Sequence, residues 1–314
     1  MALNLPNPDT YAELPDEMFV PGADDGQAEE LVRPSTTYWH DVWQRFRRDP
    51  LAILGLAVIL LMALAAIILP MVSPYSYDGM DLTHMNQGPS LAHPCGTDQM
   101  GRDLFIRILY GARISLTIGV VAALINFFIG VIYGGLSGYI GGRTDMVMMR
   151  IVDILTSLPS LLYTVLIMLL FGSDMGSVIL ALCFTSWIGT ARVVRSEVMR
   201  LKHSEYVLAA RLAGANTRQL LVSHLLPNAM GPIIVSTAFL IPNAIFSESF
   251  LSFLGIGIKA PMASWGTLAN DAIPMMLSQP HQMFFPVLGI CIAMFSFNFI
   301  GDGLRDALDP RLKK

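Results

Sequence analysis

The most prominent pattern along this chain is a set of six long apolar stretches separated by short polar segments. A helix needs about 20 apolar residues to cross a bilayer core, and the six stretches together contain a single charged side chain, Glu248. A helix satisfies its own backbone hydrogen bonds inside a membrane, which a lone extended segment cannot do. The pattern therefore predicts an all-α polytopic membrane protein with six transmembrane helices, at residues 51–69, 114–140, 154–173, 175–191, 225–258 and 283–301.

Charge in the connecting segments predicts the orientation of these spans. Sixteen Lys and Arg residues fall before the first span, in the second and fourth connections and after the last span, whereas four fall in the other connections. Basic residues are enriched on the cytoplasmic side of a membrane. Both termini and the fourth connection are therefore predicted to be cytoplasmic. The composition also favours a membrane protein. With 54% hydrophobic and 14% charged residues, the chain is more apolar than an ordinary soluble domain.

The regions before the second span differ sharply in composition. The first 30 residues contain eight acidic residues and neither Lys nor Arg, which predicts a disordered acidic tail over residues 1–40. Residues 41–72 are predicted to hold the N-terminal transmembrane helix. Residues 73–110 are predicted to form an extracytoplasmic loop that ends in an interfacial amphipathic lead-in to span 2, because Leu104 and Ile108 alternate with arginines at helical spacing.

The fourth connection contains a stretch unlike the rest of the chain, EYVLAARLAGANTRQLLVSHLLPNA at residues 205–229. Ser204 is a suitable helix N-cap and Gly214 a suitable terminator. Small side chains on one face allow a helix to settle deeply into a groove on another protein. A linker helix packed on its own bundle remains the alternative interpretation. The predicted shallow face consists of Tyr206, Ala209, Ala210 and Ala213.

This stretch resembles the cytoplasmic EAA loop of ABC-importer permeases. The match covers Ala209, Ala210, Gly214 and the Leu226–Pro227 pair. Two positions depart: Leu208 stands where the family usually has Glu, and His224 where it usually has Ile. Further segments resemble the C-type permease subunit of oligopeptide and dipeptide transporters: GTDQMGRDLFIRILYGARISL, FLSFLGIG, SWG and FNFIGDGLRDALDPRLKK. The resemblance extends from about residue 40 to the end of the chain.

The resemblance implies a fold, a function and a set of partners. It implies one extra N-terminal helix before a five-helix MetI-like core at residues 111–304, followed by a cytoplasmic C-terminus at 305–314. The chain itself is expected in the bacterial inner membrane. Its expected partners are a homologous B permease, two ATPase subunits, an extracytoplasmic peptide-binding protein and membrane lipid. Nucleic acid is not expected as a partner. Within the loop, the residues expected to couple to the ATPase are Glu205, Ala209, Ala210, Arg211 and Gly214.

Several function classes are disfavoured by the sequence. It contains no G-x-x-x-x-G-K-[ST] phosphate loop, so no cofactor is expected in this chain, and ATP and Mg²⁺ are expected on the partner ATPases. No catalytic residue is predicted, and His93 and Cys95 alone do not make a metal site. Related permeases for nickel chelates or antimicrobial peptides remain alternatives. A stand-alone secondary transporter is the alternative from a different class, although no internal repeat supports it.

Glu248 is the one charge within a predicted span, and it admits two interpretations. It either lines the transport pathway, or it is an interfacial, solvated acid or a partner to the other permease. The pathway or gate candidates are Glu248, Pro242 and Asn243.

Overall fold

The computed structural model describes residues 38–259 and 261–309 of the chain. The described part is built from α-helices and contains no β-strand. The predicted disordered tail at residues 1–40 falls almost entirely outside the described residues. From Val42 onward the chain forms one compact unit. The helices are α1 (Tyr38–Phe46), α2 (Pro50–Val72), α3 (Leu104–Ile140), α4 (Gly142–Thr156), α5 (Ser160–Phe171), α6 (Met175–Leu201), α7 (Glu205–Leu212), α8 (Thr217–Gln219), α9 (Leu226–Ala238), α10 (Leu240–Phe253), α11 (Trp265–Asp271) and α12 (His281–Leu308).

The first long apolar helix, α2, begins at a clear local signal. The carboxylate of Asp49 accepts hydrogen bonds from the backbone N–H of Leu51, at 2.9 Å, and of Ala52, at 3.3 Å, and Pro50 occupies the first turn, where it costs no backbone hydrogen bond. The helix is 23 residues long, about 35 Å at 1.5 Å per residue. It is therefore long enough to cross a bilayer, and it packs on α12 and α3.

The central helix, α3, is longer than the predicted second span. It begins at Leu104, so the predicted amphipathic lead-in and the span form one continuous helix of 37 residues. Glycines allow its backbone to lie directly against α6: a Cβ on Gly138 would lie 2.7 Å from the carbonyl oxygen of Arg195, and one on Gly134 would clash with the carbonyl of Ala191. Small residues at such crossings are typical of membrane helices.

The predicted third span is wrong as a single helix. Residues 154–173 belong to two helices, α4 and α5, whose axes differ by 79°. Pro159 causes the break, because proline has no N–H to donate and disfavours helical geometry at Leu158, the residue before it. The second connection is also helical rather than a loop, since α4 begins at Gly142. Within the described residues, five helices are long and apolar enough to cross a membrane, or six if the bent pair counts as one.

The predicted fifth span is a segmented helical path rather than one straight helix. It runs from Thr217 to Phe253 and includes a π-helical turn at Leu220–Leu225, immediately before Pro227. The N–H of Leu226 reaches back five residues to the carbonyl of Leu221. A wider turn of this kind accommodates a proline without ending the helix. The path is interrupted once more at Phe239, between α9 and α10.

Candidate functional site

The short helix α7 is held to the bundle by very few contacts. Val207 is its only fully buried side chain, at 0% exposure, and packs in an apolar cluster with Val194, Val198 and Leu225. The predicted capping role of Ser204 is only partly correct. Ser204 occupies the N-cap position, but its hydroxyl donates to the carbonyl of Leu201 at 2.6 Å instead of accepting from the helix.

Most of the remaining surface of α7 faces outward. Leu212 is 81% exposed and Leu208 is 56% exposed. Of the predicted shallow face, Tyr206, Ala209 and Ala213 are exposed, and Ala210 is half-buried. Apolar side chains at this density on an eight-residue helix are typical of a surface that another protein covers.

The end of α7 has a fixed geometry that depends on Gly214. The N–H of Gly214 donates to the carbonyl of Arg211 and the N–H of Ala215 donates to the carbonyl of Ala210, each at 3.0 Å. These two bonds define a Schellman motif, which requires a left-handed residue, and Gly214 has φ +90°. The chain then restarts at Asn216, whose side chain forms a reciprocal capping box with Gln219. The predicted helix terminator at Gly214 is therefore confirmed.

The helix that leads into α7 is tied to its neighbours by an ion pair and two hydrogen bonds. Arg195 in α6 donates through Nε and Nη2 to the carboxylate of Asp145 in α4 (Nη2 to Oδ2, 2.6 Å), and Ser137 donates to the same carboxylate at 2.6 Å. Lys202, at the end of α6, donates to the carbonyl of Gly138 at 3.2 Å. The helix α6 leads into α7 and α8 follows it, so α7 is joined through the chain to the spans on both sides.

Glu248 lies far from α7 along the fifth helical path and in a different environment. It is 0% exposed. Its carboxylate accepts hydrogen bonds from the hydroxyls of Ser115 and Ser252, both at 2.9 Å, and of Ser249 at 3.4 Å. The interpretation of Glu248 as a solvated interfacial acid is therefore wrong. Since Ser115 belongs to α3, the carboxylate joins α10 to the central helix.

The three pathway candidates do not share one surface. Pro242 is buried near the start of α10, whereas Asn243 is exposed. Phe246 and Phe250 continue the exposed side of α10 and stack with ring centroids 6.2 Å apart, and Ser247 beside them is half-buried. The structure thus separates Glu248 from the accessible face of its own helix. Burial cannot be read from the sequence of one helix, since it depends on where α3 lies.

A charged cluster at the N-terminal end of α3 was not predicted from the sequence. Arg107 was expected at a membrane interface, but it is buried, with Nη1 3.2 Å from Asp98 and Nη2 3.4 Å from Asp271. Arg102 donates from Nε to Asp98 at 2.7 Å. The cluster lines a cavity of about 470 Å³. The Asp98–Arg102 spacing of four residues was the one available signal.

The two residues considered for a metal have other surroundings. His93 Nδ1 lies 2.7 Å from the carboxylate of Asp103, and Cys95 is buried, which raises the pKa of its thiol to about 11. No group of three His, Cys, Asp or Glu side chains among residues 38–259 and 261–309 is arranged to hold a metal ion.

Comparison with known proteins decides the family. Residues 127–314 match the model of the binding-protein-dependent transport system inner membrane component, and residues 37–89 match the N-terminal TM domain of oligopeptide transport permease C. The chain belongs to the family of binding-protein-dependent transport inner membrane components. It is therefore a permease subunit of an ABC importer of the oligopeptide/dipeptide C-subunit type, as the sequence motifs predicted.

Relatives of this permease are similar over nearly the whole chain. It is 48% identical to the dipeptide transport system permease protein DppC of Bacillus subtilis, over 99% of this chain and 100% of the relative. It is 49% identical to OppC, the oligopeptide transport system permease protein of the same organism, over 96% and 99%. OppC of Escherichia coli K12 is 41% identical, over 90% and 95%.

Among solved structures, the permease is similar to a chain of the inward-facing MetNI methionine ABC transporter. The TM-score is 0.56 at 18% identity, over 66% of this chain and 98% of the other. This likeness confirms the MetI-like fold. Permeases of this family are multi-span proteins of the bacterial inner membrane that act with ATPase subunits and another permease.

Proposed function

We propose that this permease carries dipeptides or oligopeptides across the bacterial inner membrane. The support is the naming of its relatives: those at 48–49% identity are dipeptide and oligopeptide permeases, and a relative at 40% identity, from Pectobacterium atrosepticum, is a glutathione transport permease. All three substrates contain peptide bonds. Nickel chelates and antimicrobial peptides are alternative substrates for the test below.

The proposed assembly contains this chain, a homologous B permease, two ATPase subunits and an extracytoplasmic peptide-binding protein. The chain itself is a transport subunit without enzymatic activity, and the partner ATPases bind and hydrolyse ATP with Mg²⁺. Both termini and α7 face the cytoplasm in this arrangement. We place the MetI-like core at residues 111–304 and the cytoplasmic C-terminal segment at 305–314.

The observation that carries the proposal is the exposed helix α7 between two spans. We infer that α7 docks in a cleft of an ATPase subunit through Glu205, Ala209, Ala210 and Arg211, with Gly214 fixing the end of the helix. The small side chains of Ala209 and Ala210 permit a close approach. When nucleotide closes the ATPase pair, α7 moves as a rigid body, and α6 and the path through α9 move with it.

The same movement is proposed to act on a gate in α10. Asn243 is the accessible candidate, and Pro242, at the base of α10, sets the position where the path bends. Glu248 contributes by holding α10 against α3, so that the two helices move together.

The proposal is tested by reconstituting the purified assembly in proteoliposomes with ATP inside and labelled dipeptide or tetrapeptide outside. ATP-dependent uptake that requires the binding protein is expected. Uptake without ATPase subunits indicates a secondary transporter instead, and import of a nickel chelate without peptide import overturns the proposed substrate.

The docking step has a separate test. A cysteine introduced at Ala210 is expected to form a disulfide with a cysteine in the ATPase cleft, whereas one at Leu170, exposed at the far end of α5, is not. Failure of the Ala210 cross-link in an assembly that imports peptide contradicts docking through α7.

A further inference from the structure

A groove between α5, α6 and α10 contains an unusual concentration of hydroxyl groups. Its volume is about 270 Å³, and none of its lining residues is charged. The wall includes the stacked rings of Phe246 and Phe250. The hydroxyls come from all three helices: Ser160 and Thr164 in α5, Thr185 and Ser186 in α6, and Ser247 in α10.

The groove lies at mid-depth in the spanning bundle. Thr185 is ten residues from the start of α6 at Met175, which corresponds to about 15 Å along a helix. The hydrocarbon core is about 30 Å thick. Ser160 lines the same groove, and therefore the break between α4 and α5 lies beside it.

Most of these hydroxyls have no partner. Thr164 donates to the carbonyl of Ser160 at 3.0 Å, one turn earlier in α5. The hydroxyls of Ser160, Thr185, Ser186 and Ser247 make no hydrogen bond within the described part of the chain. An unpartnered hydroxyl facing hydrocarbon is unfavourable, so these four groups indicate that something polar occupies the groove.

The adjacent break supports the same conclusion. Residues 157–159 are non-helical and exposed, and Pro159 leaves the backbone there without a continuous helical ladder. Irregular backbone at membrane depth is tolerated only where it is buried in protein or lines a water-filled cavity. The break and the hydroxyls therefore place a polar passage, rather than lipid, on this side of α5.

We propose that this groove is a wall of the transport passage and that its hydroxyls bind the main chain of the peptide in transit. The proposal rests on the proposed peptide-import function. A hydroxyl both donates and accepts, so a set of them matches peptide N–H and C=O groups without selecting side-chain charge. The exposed rings of Phe246 and Phe250 offer an uncharged surface for apolar side chains of the cargo.

Photo-cross-linking in the reconstituted full assembly tests this placement. A photoreactive phenylalanine analogue at Ser247 or Ser186 is expected to capture a radiolabelled peptide during ATP-driven turnover. The same analogue at Leu169, exposed on α5 but outside the groove, is expected to capture none. Cross-links only to the homologous permease show that the groove is a subunit interface and overturn the proposal.

Removing the hydroxyls gives a second measurement with a matched control. Thr185→Val and Ser247→Ala are each expected to lower peptide uptake about fivefold, since one neutral hydrogen bond changes an equilibrium by roughly two- to tenfold. Thr237→Val is the control, because Thr237 lies outside the groove and its hydroxyl donates to the carbonyl of Ile233 within α9 at 2.8 Å, so uptake is expected to stay within about twofold of wild type. Equal effects of all three changes contradict a main-chain contact.

The two proposals fail in different ways. If the unaltered assembly imports no peptide, the proposed function is wrong. If it imports peptide normally and the hydroxyl variants do too, only the assignment of the groove is wrong.

Discussion

The helix α7 and the surroundings of Glu248 are two polar interruptions of an apolar chain, and the fold treats them in opposite ways. In α7, Val207 is the only buried side chain, and nearly every other side chain of the helix is exposed. Around Glu248, the chain itself supplies hydrogen-bonding hydroxyls, among them those of Ser115, Ser249 and Ser252. The first region is therefore open to a partner protein, whereas the second is enclosed by the chain itself.

This difference separates two kinds of sensitivity. A change near Glu248 disturbs packing between α3 and α10 and is expected to reduce the amount of folded protein. A change on α7 leaves the bundle intact and is expected to reduce coupling to the ATPase.

Glu248→Ala is expected to have the largest effect. It strands the hydroxyls of Ser115 and Ser252 in a buried site and leaves a cavity, together costing about 3 kcal/mol of stability. We expect much lower abundance in the membrane and a reduced midpoint of thermal unfolding in detergent. Glu248→Gln is the control, because it keeps the side-chain volume and a hydrogen-bonding group. A stable, abundant Ala variant shows that the cluster does not hold α10 to α3.

Gly214→Val is expected to reduce transport more than tenfold while insertion is preserved. The reason is conformational: a Cβ on Gly214 would meet no other atom within 4 Å, but φ +90° is strained for a β-branched residue by about 1–2 kcal/mol or more. Peptide uptake and membrane abundance are the measurements. Asn at this position, which tolerates left-handed geometry, is expected to retain most uptake. Normal uptake by the Val variant refutes the role of the Schellman motif.

Leu212→Asp is expected to weaken ATPase binding without affecting the bundle. Burying a leucine in an interface contributes about 2 kcal/mol, which corresponds to roughly a 30-fold change in dissociation constant. The measurement is binding of purified ATPase to the permease pair in nanodiscs. Leu91→Asp, at a fully exposed leucine in the segment before α3, is the matched control. Unchanged ATPase affinity for the Leu212 variant argues against docking through this side of α7.

The Asp145–Arg195 pair is expected to give the smallest effect. Its exposure is intermediate between that of the α7 surface and that of Glu248. It is partly exposed, with 12% and 29% of the respective side chains accessible, so a double-mutant cycle with Asp145→Asn and Arg195→Gln is expected to yield about 1 kcal/mol of coupling. Thermal unfolding midpoints of the four proteins provide the measurement. Strictly additive single effects show that the pair does not link α4 to α6.

The sequence predicted the class of fold well because apolar length is itself a physical requirement of the bilayer. The approximate positions of the spans follow from it. The helix stop at Gly214 was predicted for a different reason, because it depends on local backbone chemistry. The broken third span was missed although Pro159 was visible. A proline within an apolar run predicts a kink, but the size of the bend depends on what packs on either side.

The sites show the same division. From its own residues, the chain specifies six apolar stretches, a charge asymmetry and a short alanine-rich helix between two spans, because each of these depends on neighbours a few positions away. Only the tertiary structure decided that Glu248 is enclosed, that Arg107 is buried with Asp98 and Asp271, and that hydroxyls from α5, α6 and α10 meet in one groove. These contacts join residues from distant segments, and no local pattern encodes which helices will lie side by side.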